Sequence, residues 1–207
     1  MPVRRALLAD PVLEVAPKLL GMVLRRTTPE GVVAVRVTEV EAYDGPNDPG
    51  SHSYRGQTPR NAVMFGPPGH LYVYFTYGMH YCMNIAVGPP GQPSAVLFRA
   101  GEVIEGIDLA RARRSAGSTK ALPDRDLARG PARLCVALGI GRADNDTDLL
   151  VRGSAIQLLP GTGYDGEVAT GPRVGLREAA DWPWRFWIPG DRTVSPYKPH
   201  VPKRRTG

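Results

Sequence analysis

The run VVAVRVTEVEAY, Val32 to Tyr43, constrains this chain more than any other stretch. Side chains branched at Cβ favour extended backbone and pack well on a pleated surface, so the run reads as a strand. Counting by twos places Val33, Val35, Val37, Glu39, Glu41 and Tyr43 on one face. That face is apolar at first and carries carboxylates at its end. An acid at a strand end is often only a solvated terminus. The functional reading is a partly buried carboxylate that activates water, with an arginine steadying its charge. Spacing alone does not choose between Glu39 and Glu41.

Around this strand the chain reads as one domain over 1–207, long enough for a core of its own. Gly 24 and Pro 21 exceed usual usage, so many loops and few helices are expected. The spacing in LEVAPKLLGMVL suggests an early helix broken or begun near Pro17 and closed around Gly21. Residues 44–70 form a turn-rich segment longer than an ordinary connection, and such ordered loops are commonly functional. SAVLFRAGEVIEG, from Ser94, is a further strand. A helix starts near Gly130, with Pro131 in its first turn and Gly139 at its end. The fold class is α+β, with a flexible basic tail over 198–207.

GHLYVYFTYGMHYCMN, Gly69 to Asn84, holds four of the chain's eight tyrosines. Two strand-like arms flank Tyr77-Gly78-Met79-His80. Alternation puts Leu71, Val73 and Phe75 opposite Tyr72, Tyr74 and Thr76, and His80, Cys82 and Asn84 opposite Tyr81, Met83 and Ile85. One face packs a core; the other offers flat aromatics and hydrogen-bonding groups. Aromatic ladders also stabilise sheets, so packing alone is an equally open reading. Stacking a nucleobase is the functional one.

Composition narrows the classes. Hydrophobic content of 42% against 22% charged describes a folded rather than a disordered chain. No apolar run approaches the roughly 18 residues of a membrane span. The N-terminus lacks a secretory pattern, so a cytoplasmic protein is expected. Cys82 and Cys135 sit among apolar neighbours without metal spacing and read as reduced, buried thiols. Four histidines and no clustered ligand pattern argue against a catalytic metal. A formal charge of +6 makes an anionic partner plausible. Arg55, Arg60, Arg99, the segment with Arg111, Arg113, Arg114 and Lys120, and the tail after Asp191 supply the basic residues.

EVEAYDGPNDPGSHSYRGQTPRN, MFGPPGHLYVYFTYGMHYCMNI, AVLFRAGEVIEG and GPRVGL, in that order, closely resemble the alkyladenine-type 3-methyladenine DNA glycosylase family. The likeness covers roughly residues 10 to 190. Members of that family remove alkylated purines, notably 3-methyladenine, and some also remove hypoxanthine or ethenoadenine. The resemblance implies a single compact domain with a curved antiparallel sheet, surrounding helices and a protruding hairpin that enters the minor groove. It places the water-activating glutamate at Glu41 rather than Glu39. Arg99 and the Val174 backbone carbonyl take the places that position the water. Tyr43, Tyr74 and His52 match the pocket residues that face the base, and Asn84 the one that rejects guanine. Tyr77 matches the wedge that fills the duplex, with Met79 and His80 as its groove-side neighbours; Arg60, a basic residue flanking GQTP, is a further candidate DNA contact read from the residues themselves.

The resemblance thus implies a monofunctional glycosylase: a monomer that binds double-stranded DNA containing damaged purines. It would need neither metal nor organic cofactor and would act on chromosomal DNA. The rival from another class is a non-catalytic nucleic-acid binding domain that keeps the tyrosines and basic patches. An RNA-modifying or formyltransferase-related domain has no comparable motif support. Glu41 with Arg99 separates the first two, because a pure binder has little need for an acid facing phosphate-rich DNA.

Overall fold

The valine run becomes the strand on which the rest is built. In the computed structural model, which describes residues 3–76, 78–116 and 122–200, it is β2, Gly31–Tyr43. β1 (Val23–Thr28) precedes it, and β3 (Leu71–Thr76), β4 (His80–Val87) and β5 (Ser94–Glu105) follow. Three short strands complete the set: β6 (Ile156–Leu159), β7 (Ala169–Gly171) and β8 (Arg185–Trp187). They form one antiparallel sheet in the order β3-β4-β5-β2-β1-β6, with β8 paired to β2 and β7 to β8. The sheet curls into a half-barrel. Both edges of β2 are paired: β5 follows one, while β1 takes 31–36 and β8 takes 39–41 on the other.

The single face expected for β2 does not persist. Register shifts fall between Val37 and Glu39 and between Glu39 and Val40. An extra residue in a ladder reverses the side that all later side chains take. Val33, Val35 and Val37 enter the main core, but beyond the bulge its members are Val40 and Ala42. Glu39, Glu41 and Tyr43 therefore leave the valines' face for the opposite one. The irregularity lets one strand fill a core with its first half and present acids with its second.

Among the described residues four α-helices accompany the sheet: α1 (Arg5–Leu8), α2 (Val12–Lys18), α3 (Ile107–Ser115) and α4 (Pro131–Leu138). Pro17 lies one residue before the end of α2 and withholds the N–H that would meet the Leu13 carbonyl, and the helix closes at Lys18. In α4, Pro131 opens the first turn, as the sequence predicts. Gly139 closes it at φ 68°, its N–H reaching the Cys135 and Val136 carbonyls. That left-handed cap is easy for glycine and strained for other residues. Leu134, Cys135, Ala137 and Leu138 point inward, and α4 packs on β4 and β5 while α2 packs on β2. Between helices and sheet lies the core of Leu24, Leu71, Met83, Ile85 and Phe98 with the valines of β2. Each such side chain, fully buried, is worth about 1.5–3 kcal/mol. Both cysteines are free thiols and buried. The result is the α+β class expected from the sequence.

Candidate active site

Four adjacent strands turn their other face toward one space. Tyr72, Tyr74 and Thr76 come from β3, Cys82 and Asn84 from β4, Ala95, Leu97 and Arg99 from β5, and Glu41 and Tyr43 from β2. The ladder sets them in register: Tyr72 opposite Asn84, Tyr74 opposite Cys82, Asn84 and Glu41 each opposite Leu97. Gly50, Ser51 and His52 close the space on one side, and Val174, Gly175 and Leu176 on another. They enclose a cavity of about 380 Å³. Sites for small organic ligands run from roughly 300 to 1,000 Å³.

Glu41 is fully buried at the wall of this cavity. Its Oε1 accepts the Val174 N–H at 2.7 Å and lies 3.2 Å from Arg99 Nη1. Its Oε2 accepts the Tyr43 hydroxyl at 2.9 Å. Donors thus meet both carboxylate oxygens. Burial, then the charge of Glu41, pushes the Tyr43 phenol well above its ordinary range, so it stays a neutral donor. Burial would by itself lower Arg99, but Glu41 and Glu39 outweigh it and raise the guanidinium, which remains cationic.

Glu39 is equally buried but does not line the cavity. Its Oε1 accepts Arg99 Nε at 2.8 Å, Arg185 Nη1 at 3.1 Å and Ser195 Oγ at 2.9 Å. Its Oε2 accepts the Ser195 N–H at 2.6 Å. Arg99 thus bridges the two acids, with Glu39 behind it and Glu41 in front.

The aromatic wall combines a stacked pair with an edge-on ring. Tyr72 and Tyr74 stack with centroids 5.5 Å apart and planes 29° from parallel. The His52 ring meets Tyr74 edge-on at 4.6 Å, and its Nδ1 lies 3.1 Å from the Tyr72 hydroxyl. Burial of the ring, then the charge of Arg60, lowers the His52 pKa, although the residue keeps an exposed side at the cavity mouth. Near neutral pH the imidazole is uncharged. Burial, then the neighbouring Cys82, pushes Tyr74 well above its ordinary range. Asn84 is buried, and its Nδ2 donates to the Tyr72 carbonyl at 3.3 Å, which commits one N–H to the sheet.

Outside the cavity, β3 and β4 pair up to Thr76 opposite His80. At their tip Met79 is 70% exposed, His80 is exposed, and Phe75 is 48% exposed against Tyr81. Tyr77 lies outside the described residues. Arg60 donates to the Phe75 carbonyl at 3.2 Å and stands 5.5 Å over the Tyr74 ring. Of the basic tail, Lys198 accepts the Gly175 N–H through its carbonyl at 3.2 Å, and Arg177 Nε donates to His200 Nε2 at 2.9 Å. Lys120 and residues 201–207 lie outside the described residues.

Ten of the eleven site residues named from the sequence are described: Glu41, Tyr43, His52, Tyr74, Asn84, Arg99 and Val174 gather at the cavity, while Arg60, Met79 and His80 lie toward the tip. Sequence reasoning missed Ser195, Arg185, Asp48 and Arg173, which no local pattern flags, whereas Cys82 falls on the face of Asn84 as alternation predicts. Arg173 is buried on Asp48 with Nη1 at 2.5 Å and Nη2 at 2.7 Å from its two oxygens. Among the described residues no group of three or more His, Cys, Asp or Glu could hold a metal ion, and no helix is long and apolar enough to cross a membrane.

Comparison with known proteins bears on the same geometry. The family model described as methylpurine-DNA glycosylase (MPG) matches residues 6–192. Relatives described as "Putative 3-methyladenine DNA glycosylase" include one from Streptomyces avermitilis, 58% identical over 99% of this chain and 95% of its own. One from Leifsonia xyli subsp. xyli is 56% identical over 96% of this chain and 93% of its own. A third, from Frankia casuarinae, is 50% identical over 94% and 91%. With a match across most of its length and relatives this similar, the chain belongs to the methylpurine-DNA glycosylase family.

Proposed function

We propose that this chain is a monofunctional DNA glycosylase that draws a methylated purine, 3-methyladenine foremost, out of duplex DNA and hydrolyses its N-glycosidic bond. The observation that carries the reading is a fully buried carboxylate, Glu41, at a cavity wall where Arg99, Tyr43 and the Val174 N–H all hold its charge. A base inside the duplex is out of reach, so the nucleotide must be flipped into the cavity. Tyr77 would fill the gap it leaves, with Met79, His80 and Arg60 on the DNA side. Tyr43, Tyr74 and the neutral His52 ring would contact the faces of the flipped base, and Asn84 its edge. An alkylated purine is electron-poor and often cationic, which suits aromatic faces.

In the chemical step Glu41 accepts a proton from water as the water oxygen bonds to C1′. The glycosidic electron pair leaves with the purine, which a positive charge makes a better leaving group. The carboxylate also opposes the charge that develops on the sugar. Arg99 orients the carboxylate, and the Val174 peptide lies beside the same oxygen. Water rather than an amine attacks, so the strand is left intact with an abasic site. Hypoxanthine and ethenoadenine are further substrates to assay. The chain would act as a monomer on chromosomal DNA in the cytoplasm.

Single-turnover incubation of a duplex bearing 3-methyladenine or hypoxanthine, with released base and strand nicking assayed separately, tests this. Base release without nicking is the expected result. Duplex binding with no release of any damaged base would leave only the non-catalytic binding domain.

A further inference from the structure

One buried ion pair joins three of the segments that wall the cavity. The end of β2 brings Glu41 and Tyr43, the following loop brings Gly50, Ser51 and His52, and the loop after β7 brings Val174, Gly175 and Leu176. Asp48 and Arg173, both buried, do not line the cavity. Their two-point ion pair is closed at 2.5 and 2.7 Å. From it, Arg173 Nη1 also donates to the carbonyl of Ala42, the residue between Glu41 and Tyr43, at 2.9 Å. The guanidinium lies flat enough to stand 4.7 Å over the Tyr43 ring and 5.1 Å over Trp184. Asp48 Oδ1 accepts the Gly50 N–H at 2.9 Å and Oδ2 the Asp44 N–H at 3.3 Å, which shapes the loop carrying His52.

Arg173 is joined by one peptide bond to Val174, whose N–H holds Glu41 Oε1 at 2.7 Å. Packing at the junction leaves little slack. A Cβ on Gly50 would come within 2.8 Å of Leu176 and 2.9 Å of Arg173 Nη2. A planar fork reaching a carboxylate, a carbonyl and two ring faces at once is a task for arginine, which lysine does not reproduce.

We propose that Asp48 and Arg173 are positioning residues for the excision step, clamping the three walls so that the Val174 N–H and Tyr43 converge on Glu41. The assignment rests on the proposed glycosylase activity. A buried ion pair contributes little to stability compared with an apolar pair of similar volume, so its stability role and its positioning role are separable. Replacing the pair by Asp48→Leu with Arg173→Met keeps the volume filled and leaves no buried charge unpaired. It removes every hydrogen bond of the clamp.

The experiment compares wild type, Asp48→Asn, Arg173→Lys and the Leu/Met double variant. Three readouts are taken: melting temperature, affinity for a duplex carrying a tetrahydrofuran abasic-site analogue, and single-turnover release of a methylated purine. Small misplacements of reacting groups cost about 10²-fold in rate. The double variant is expected to melt a few degrees below wild type, because the Ala42 carbonyl and the Gly50 and Asp44 N–H groups lose these partners, to bind the abasic analogue within a few-fold, and to release base roughly 100-fold more slowly. Arg173→Lys, which keeps the charge, should lose about tenfold in release with binding retained. Wild-type release by the double variant overturns the proposal, as does a release defect matched by an equal loss of abasic-site affinity. Should the double variant not fold, Arg173→Lys decides: release within twofold of wild type refutes the clamp. A wild-type protein that binds the duplex but releases no methylated purine would instead sink the underlying activity, and the clamp with it.

Discussion

Glu39 and Glu41 stand two residues apart on one strand, equally buried and sharing Arg99, yet their surroundings differ in kind. Around Glu39 the structure is closed: two arginines and both donors of Ser195 use its oxygens, and it does not line the cavity. Around Glu41 three partners hold the carboxylate from behind and beside, and the remaining side opens on the cavity. The same residue type thus serves as a counter-ion in one place and is left available for substrate in the other. What separates the two roles is the placement of the walls, since burial and charge are shared.

The comparison breaks most sharply on paired substitutions. Glu41→Gln removes the base but keeps the shape, so single-turnover release should fall by roughly 10²–10⁴-fold. Duplex affinity should change little, and melting should fall less than for Glu39→Gln, because Glu41 pairs with one arginine and Glu39 with two. Glu39→Gln removes the counter-charge of Arg99 and Arg185 and turns an amide N–H₂ toward donors. Breaking a buried pair this way costs about 3–5 kcal/mol, and at about 2–4 °C per kcal/mol the melting point should drop by roughly 6–20 °C. If Glu39→Gln lost release without losing stability, the division between the two acids would be wrong.

Legibility in the sequence follows the same division. β2, the β3–β4 pair, β5 and α4 announce themselves through short-range signals: branched side chains, alternation, and the Pro131 and Gly139 that bound the helix. The cavity floor is legible for that reason, because alternate positions on neighbouring strands share a face. The bulge near Thr38 was not, since nothing in TEVEAY distinguishes an extra residue from an ordinary pleat. Closure of the site depends on pairs far apart in the chain, Asp48 with Arg173 at 125 residues and Glu39 with Ser195 at 156. One sequence carries no local trace of such partners. Short β7 and β8, three residues each, are similarly silent until they pair with β2 and each other.

A smaller effect distinguishes the aromatic wall from the acid pair. The folded pKa of His52 lies below its ordinary value because burial, and then Arg60, disfavour the charged ring. The unfolded chain then binds more protons than the folded one, so stability must rise with pH across this interval. The contribution is full above about 6.5, the unfolded value, and is lost as pH falls from there through the lower folded value. His52→Gln should flatten that part of the melting-temperature profile, and an unchanged slope would remove the histidine from the account. Partial exposure at the cavity mouth keeps the change modest.

The smallest effect belongs to Arg60, at the boundary between the cavity and the surface. Its guanidinium stands over Tyr74 and lowers His52, but it is exposed and held by one bond to the Phe75 carbonyl. An exposed ion pair is worth about 0.2–1 kcal/mol, so loss of one phosphate contact by Arg60→Ala should weaken duplex affinity only about two- to fivefold. Two accompanying changes identify the cause. If Arg60 meets a phosphate, the slope of log affinity against log salt should become shallower by about one. With the cation gone, the His52 ring should also protonate at higher pH, which an NMR titration of its ring protons reads directly. A shallower salt slope without the His52 shift would assign Arg60 to the DNA alone. The shift without the slope would return it to the cavity wall, on the same side of the division as the aromatic residues it covers.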